Sequence, residues 1–143
     1  MHRRALLTAA PVLLAAGAAR AAAPKEKKDP VGQYVDISPV ALPVVVDDRL
    51  INYVFTHCRL NLKASADATK LRAKEPYFRD ALVRAAHRTP FTNPKDYTRL
   101  DEARLKAVLL AEATRIAGAP VITGVTITAQ TPKQRSNLPR PKG

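Results

Sequence analysis

The strongest constraint on the fold is the stretch of residues 50–63, LINYVFTHCRLNLK, which contains neither glycine nor proline. Apolar and polar side chains alternate along it, and β-branched and aromatic types are frequent. One predicted face carries Leu50, Val54, Cys58, Leu60 and Leu62, and the opposite face carries Tyr53, His57, Arg59, Asn61 and Lys63. This alternation predicts a strand with one buried and one wetter face, long enough to organise a sheet and to carry a helix layer.

Two shorter alternating stretches, residues 31–38 and 40–46, precede the long strand and are separated by Pro39. Pro43, inside the second stretch, cannot donate a ladder hydrogen bond, so it predicts a strand at an edge or at a bend of the sheet. Residues 47–49, Asp-Asp-Arg, form a short polar turn that leads into the long strand. The second stretch and the long strand are therefore predicted to form an antiparallel hairpin.

The period of the pattern becomes helical after residue 63. Ser65 and Asp67 are candidate N-caps for this helical segment. Its members at helical spacing are Leu71, Glu75, Phe78, Leu82 and Ala85. Pro76 interrupts the pattern, which leaves two arrangements open: one helix that kinks at this proline, or two short helices that meet there.

A second helical segment follows residues 89–94, a loop that contains two prolines. Residues 98–101, Thr-Arg-Leu-Asp, resemble a capping box with Asp in the place of the usual Glu. Gly118 is a predicted C-cap, and Pro120 stops the helix. The apolar stripe of this helix consists of Leu105, Val108, Leu109, Ala113 and Ile116.

Residues 121–131 predict a last strand, whose inward face carries Val121, Val125, Ile127 and Ala129. The predicted order is β-β-β-α-α-β, which indicates an α+β domain over residues 31–131. The simplest arrangement is a small mixed or antiparallel sheet, covered on one face by two helices, with the last strand beside the long one. Residues 132–143 are basic and rich in proline, and we expect them to form a disordered tail.

The N-terminus resembles an export signal. Arg3 and Arg4 precede an apolar, alanine-rich run, and Ala19-Arg20-Ala21 fits the small-x-small cleavage pattern. The arginine pair followed by apolar residues indicates the twin-arginine form, and Sec export stays open. Cleavage would remove residues 1–21, leave residues 22–30 as a flexible lead-in and place the protein in the periplasm. The alternative is an uncleaved inner-membrane anchor, although the run is shorter than a bilayer requires.

The chain is strongly basic, with a formal charge of +12 over 143 residues. Such a charge favours contact with acidic surfaces. No block of five like charges occurs, so the pattern favours a solvated basic surface over a nucleic-acid site. Tyr53, Phe55 and Arg59 are of the types that stack on nucleic-acid bases, but such residues more often cover a sheet face or meet a partner strand.

The sequence contains no motif that indicates catalysis, and we expect a non-enzymatic protein without cofactor or small-molecule substrate. Cys58 lies on the predicted apolar face, which favours a buried hydrophobe over a reactive thiol. His57 and Cys58 point to opposite faces of one strand, so they do not share a metal ion. The turn position of Asp47-Asp48 and the helix-end position of His87 indicate structural roles.

Residues 34–131 resemble the periplasmic domain of the flagellar basal-body-associated FliL family. The most specific match is PYFRDAL at residues 76–82, which is similar to the P-x-Φ-R-D-x-Φ segment of that family, where Φ is apolar. An opening strand with a proline-rich step (residues 34–44), a long strand with Tyr53-Val54, a leucine-bearing second helix and a valine-rich closing strand follow the family order.

The resemblance implies a stomatin-like (SPFH-like) fold that assembles side by side, and a supporting role at the flagellar motor. The expected function is therefore an exported accessory or scaffolding protein whose partners are motor proteins or further copies of itself. The alternative is a periplasmic module whose basic surface docks on an anionic envelope component, with membrane contact only if the N-terminal segment is retained. Candidate interface residues are Tyr53, His57 and Arg59 on the strand, and Arg79 and Asp80 on the first helix. For Arg79 and Asp80 the sequence leaves a second role open, a local pair that stabilises the fold.

Overall fold

A computed structural model describes residues 32–143, and the predicted signal segment (residues 1–21) and lead-in (residues 22–30) lie outside the described residues. The elements, in chain order, are β1 (Tyr34–Val46), β2 (Arg49–Leu62), α1 (Ala68–Ala73), α2 (Glu75–Arg88), α3 (Glu102–Ala117) and β3 (Ile122–Pro132). The three strands form one antiparallel sheet in the order β1-β2-β3, so the long alternating strand lies at its centre. The α+β class and the pairing of the last strand with the long one are confirmed.

The predicted order of elements is wrong in its details, since the chain runs β-β-α-α-α-β. The two short strands expected on either side of Pro39 form one strand, β1. Pro39 and Ser38 fall in a register shift between the pairs Ile37–Cys58 and Val40–Thr56. A bulge of this kind absorbs the missing ladder donor without ending the strand. Pro43 lies in an edge strand, as its lack of an N–H predicts.

The β1–β2 hairpin turns at two aspartates. Asp47 and Asp48 have φ values of 48° and 60°, in the left-handed region that two-residue hairpin turns use and that aspartate tolerates. Next to the turn, the register shifts between the pairs Val44–Asn52 and Val45–Leu50. The extra residue moves Leu50 to the face opposite the core, where 51% of its surface is exposed. The prediction that Leu50 shares the buried face is therefore wrong.

The predicted inward face of β3 is wrong beyond a bulge in that strand. Ile127 pairs with Cys58, whereas Ala129 pairs with His57, so Thr128 is an extra residue on β3. The side chains therefore change faces at Thr128, and Ala129 is exposed on the side away from the core. Only the part of β3 before the bulge follows the predicted pattern.

The helices begin and end at residues with identifiable caps. The side chain of Asp67 accepts the Lys70 N–H at 3.0 Å and caps α1, which ends before Pro76 in the first turn of α2. Two helices thus meet here, which is one of the two expected arrangements. Asp101, which accepts the Arg104 N–H, caps α3.

The capping box predicted at residues 98–101 is not formed, because both the N–H and the hydroxyl of Thr98 donate to Asp96 in the preceding turn. At the other end of α3, Gly118 has a φ of 74° and is the C-cap, as predicted.

The helices cover one face of the sheet. α2 contacts β1, α3 contacts β3, and the two helices contact each other. The largest side chains of the core are completely or almost completely buried: Leu42, Val54, Leu60, Phe78, Leu82, Phe91, Leu100, Leu105 and Leu109. Among the described helices, none has the length and apolar character needed to cross a bilayer.

Residues 133–143, for which composition predicts disorder, lie against the hairpin end of the sheet. The buried amide of Asn52 exchanges two hydrogen bonds with the backbone of Gln134, at 3.0 and 3.1 Å. Leu138 packs against the core, and Lys142 forms an ion pair with Asp47 at 2.9 Å. A buried polar side chain inside the long strand therefore holds part of the tail, which a composition argument does not take into account.

Candidate functional site

The candidate site is the face of the sheet that none of the described helices covers, here called the outer face. It carries side chains from β1 and β2: Tyr34, Leu50, Tyr53, Phe55, His57 and Arg59. Four large hydrophobic residues are exposed among residues 32–143, and Tyr34, Leu50 and Phe55 are three of them. An apolar and aromatic surface of this kind on a central strand is typical of a contact surface for another molecule.

Phe55 is at the middle of the outer face. Its cross-strand neighbours are Ala41 on β1 and Thr131 on β3, and both have short side chains. Because neither neighbour can cover the ring, 45% of Phe55 remains exposed. The ring is nevertheless carried by a strand that is paired on both sides, so its position is fixed by two ladders of hydrogen bonds. A rigid, exposed aromatic side chain is the type that dominates protein interfaces.

Arg59 is held in place by two neighbours on β1. Its guanidinium forms a two-pronged ion pair with the opposite residue, Asp36, at 2.7 and 3.2 Å. The guanidinium carbon also lies 3.8 Å from the centre of the Tyr34 ring. The hydrogen bond that Arg59 donates to Asp36 raises the pKa of the guanidinium. The charged group is thus held at one end of the outer face by the Asp36 carboxylate and the Tyr34 ring.

His57 lies where both neighbouring strands bulge. On one side, Ser38 and Pro39 interrupt the pairing of β1, and on the other side Thr128 is the extra residue of β3. The two irregularities leave a shallow groove of about 300 Å³ beside His57. Asp36 and Arg59 also line this groove. Bulges are over-represented next to functional sites, where they can change the direction of a side chain.

The five predicted interface residues separate into two groups. Tyr53, His57 and Arg59 lie together on the outer face, as the alternation of the strand indicates. Arg79 and Asp80 lie on α2, in the helix layer on the opposite side of the sheet. Asp80 pairs with Arg84, one helical turn later, and does not pair with its neighbour Arg79. The two groups therefore belong to different surfaces.

The sequence prediction of the interface omitted Tyr34, Leu50 and Phe55. The signal for Phe55 was present, because it alternates with Tyr53 and His57 along the same strand. Tyr34 could be placed only with the hairpin register, which pairs it with Asn61 beside Arg59. Leu50 could not be found from alternation, since the bulge next to the turn reverses its side.

A second polar surface lies between α2 and α3. Arg84, Arg88 and Arg115 surround Glu112 in a groove of about 360 Å³. Arg115 lies 2.6 Å from Glu112, and Arg88 lies 3.9 Å from it. The hydrogen bond from Arg115, with smaller contributions from the other two arginines, lowers the pKa of Glu112. Much of the positive charge here is therefore already balanced within the protein.

Cys58 does not belong to the site. It is on the core side of β2 and is 2% exposed, and this burial raises the pKa of its thiol to about 12. Within residues 32–143, no three His, Cys, Asp or Glu side chains come close enough to hold a metal ion. The exposed His87 bonds the carbonyl of Val83, one helical turn earlier, at 2.8 Å. None of these groups contributes to the outer face.

We predict that Cys58 is chemically silent in the native protein and that it makes stability fall at high pH. The folded thiol has the higher pKa, so its stabilising effect is complete below the unfolded pKa near 9 and is lost as the pH rises toward 12. A thiol reagent should label the chain only in denaturant. Between about pH 8 and 11, the free energy of unfolding of the unmodified protein should fall more steeply with pH than that of Cys58→Ala. Rapid native labelling, or equal slopes, would contradict the burial.

Comparison with known protein families found no family model that matches the chain, and comparison with curated proteins found no matching sequence.

Proposed function

We propose that this protein is an exported, non-enzymatic accessory or scaffolding protein that binds another protein through the outer face of its sheet. The observation that carries the proposal is the exposure of Tyr34, Phe55 and Leu50 on one face, with Arg59 held against the Tyr34 ring. Aromatic residues and arginine are enriched at the centres of protein interfaces, whereas lysine and glutamate are depleted there. The outer face of β2 has this composition over residues 53–59.

The resemblance to the FliL family suggests where the partner should be sought. The proline-initiated PYFRDAL segment opens α2, and its Phe78 and Leu82 are core residues that seat the helix on the sheet. A match of this kind supports a stomatin-like domain at the cell envelope more than it supports any particular contact. Within this proposal, the twin-arginine-like N-terminus delivers the domain to the periplasm, and proteins of the flagellar motor are the first class of partner to test.

A second candidate function is docking on an anionic envelope component, and the observation that favours it is the groove with Arg84, Arg88 and Arg115. Glu112 lies among these arginines, and Asp80 pairs with Arg84. An anionic ligand would have to displace these carboxylates or approach them, at an electrostatic cost. The outer face carries no such internal competitor beyond the single pair Arg59–Asp36, so we favour it as the primary site.

The proposal can be tested in cells with a photo-crosslinking amino acid at Phe55. We expect a discrete crosslinked product, because the ring is exposed and lies at the middle of the outer face. The matched control is the same amino acid at Tyr77, which is 65% exposed but lies on α2, in the helix layer. Mass spectrometry of the product should identify an envelope protein.

Charge-reversal variants provide a second test, because they show which residues the Phe55 crosslink requires. Arg59→Glu reverses the charge beside Tyr34 and should reduce the Phe55 product several-fold, while Arg84→Glu in the helix layer should leave it unchanged. Loss of the product in Arg84→Glu but not in Arg59→Glu would favour the anionic-component function. Equal products at Phe55 and Tyr77 would contradict a specific site on the outer face.

A further inference from the structure

The two edge strands of the sheet, β1 and β3, differ in how many hydrogen bonds their backbone receives from the rest of the chain. Along β1, backbone groups are occupied by side chains from outside the sheet. The Ser38 N–H donates to Glu75 at 2.9 Å, and the N–H and C=O of Val45 both bond the Thr92 hydroxyl, at 3.0 and 2.9 Å. Pro39 and Pro43 have no N–H to offer. These are the devices that protect a sheet edge from pairing with another chain.

The other edge, β3, lacks most of these devices. Within residues 32–143, no side chain and no residue outside the sheet bonds the backbone of Ile122–Pro132. The strand contains no charged residue, and its only proline is its last residue. Exposed edges normally carry a lysine or an inward-pointing charge. β3 carries neither over its eleven residues, although the protein has a charge of +12.

We infer that β3 pairs with the β3 strand of a second copy of this chain, in antiparallel orientation, to give a continuous six-stranded sheet. Two strongly basic chains repel one another, and an uncharged strand is where they can approach most closely. A different protein that recognised this edge by its charge would need acidic or basic side chains on β3, and β3 has none. This inference does not depend on the outer face or on the partner proposed for it.

The bulges of β3 define the register of the pairing. They lie at Thr123 and Thr128, so the ladder between them, Gly124 to Ile127, is regular. A two-fold axis at Thr126 pairs each Val125 with Ile127 of the other copy. Both side chains face the core side and are only half-buried within one chain, so pairing covers apolar surface that is otherwise left at the edge. Thr126 then meets its own counterpart on the outer side.

The symmetry also has a consequence for the outer face. A two-fold axis perpendicular to the sheet leaves both helix layers on one side and both outer faces on the other. The assembly would present two copies of Phe55 and Arg59 on one surface, which strengthens binding to any repeated partner. Because the regular ladder is short, we expect a reversible dimer that is populated at high micromolar concentration rather than a permanent one.

The test uses Thr126→Cys in the full-length chain. The introduced thiol is the only accessible one, because Cys58 is buried. Directly opposed residues of antiparallel strands have Cα atoms about 4.5–5.5 Å apart, within the range of a disulfide. Copper–phenanthroline, which accepts the two electrons, should join two copies at least about ten times faster than it joins Thr69→Cys, an exposed threonine on α1. Equal rates would overturn the inference.

Sedimentation of the unmodified chain provides the second measurement. We expect its apparent mass to rise with concentration, Thr126→Lys to abolish the rise, and Thr69→Lys, with the same charge change, to retain it. The hydrogen bond from Asn61 to Thr126 that the first variant loses is solvent-exposed, so folding should persist. A chain that stays monomeric at millimolar concentration, or a Thr126→Lys variant that still associates, would show that β3 does not pair with itself.

Discussion

Phe78→Ala should lower the free energy of unfolding by about 3–5 kcal/mol, the largest effect of any single substitution considered for this protein. Phe78 has no exposed surface and lies on α2, where it packs into the core between the helix layer and the sheet. Removing its ring leaves a cavity that a close-packed core fills only in part. A domain of this size has a total stability of roughly 5–15 kcal/mol, so the variant should be close to unfolding at physiological temperature.

The adjacent residue provides a matched control. Tyr77→Ala removes a ring of similar size from the same helix, but Tyr77 is 65% exposed, so its effect should be about 0.5 kcal/mol or less. Urea unfolding followed by circular dichroism measures both variants. If the two substitutions lower the free energy of unfolding by similar amounts, α2 must be rotated about its axis, so that Phe78 is not the residue that faces the sheet. The PYFRDAL segment would then not seat its aromatic and leucine residues in the core.

The sequence was sufficient to predict the elements whose hydrophobic period continues without interruption. β2 differs from its predicted bounds by one residue at each end, because alternation over fourteen residues specifies both a strand and its buried face. α3 follows its apolar stripe, with Leu105, Leu109 and Ala113 buried. Gly118 ends this helix with the positive φ that its position requires.

The predictions fail where an extra residue changes the register. A bulge depends on how two strands pair, and a single strand does not reveal its partner's register. The sides of Leu50 and Ala129 were predicted wrongly for this reason, and the break at Pro39 was interpreted as a strand end. The outer face could therefore be anticipated from β2 alone, but its Tyr34 and Leu50 members required the hairpin register.

Long-range polar contacts were the other feature that could not be predicted. Asn52 lies in the long strand at a position that alternates with Val54, on the predicted buried face, but as a polar residue it was not counted among the core residues. Only the fold shows that this side chain is 4% exposed and that it reaches both the loop before α3 and the tail after β3. The prediction of disorder for residues 132–143 rests on composition alone and took no account of these contacts.

Asn52→Ala should have the second largest effect, lowering the free energy of unfolding by about 2–4 kcal/mol. The Asn52 amide N–H groups donate to the carbonyls of Tyr97 and Gln134, each at 3.0 Å, and its oxygen accepts the N–H of Tyr53 and of Gln134. The Tyr97 contact is buried, so removing the amide leaves that carbonyl without a partner as well as a small cavity.

Asn61→Ala is the matched control, since it removes the same amide from the same strand. Asn61 donates to Thr126 on the exposed outer side, and water can replace that bond, so the loss should be below about 1 kcal/mol. Thermal unfolding compares the two variants. Limited proteolysis separates a local from a global effect, because Asn52→Ala should allow cleavage after Lys133 or Arg135 under conditions in which Asn61→Ala is resistant. If both variants keep the tail protected and lose equal stability, the tail is held by Leu138 and Lys142 instead, and the Asn52 amide is not the group that attaches it.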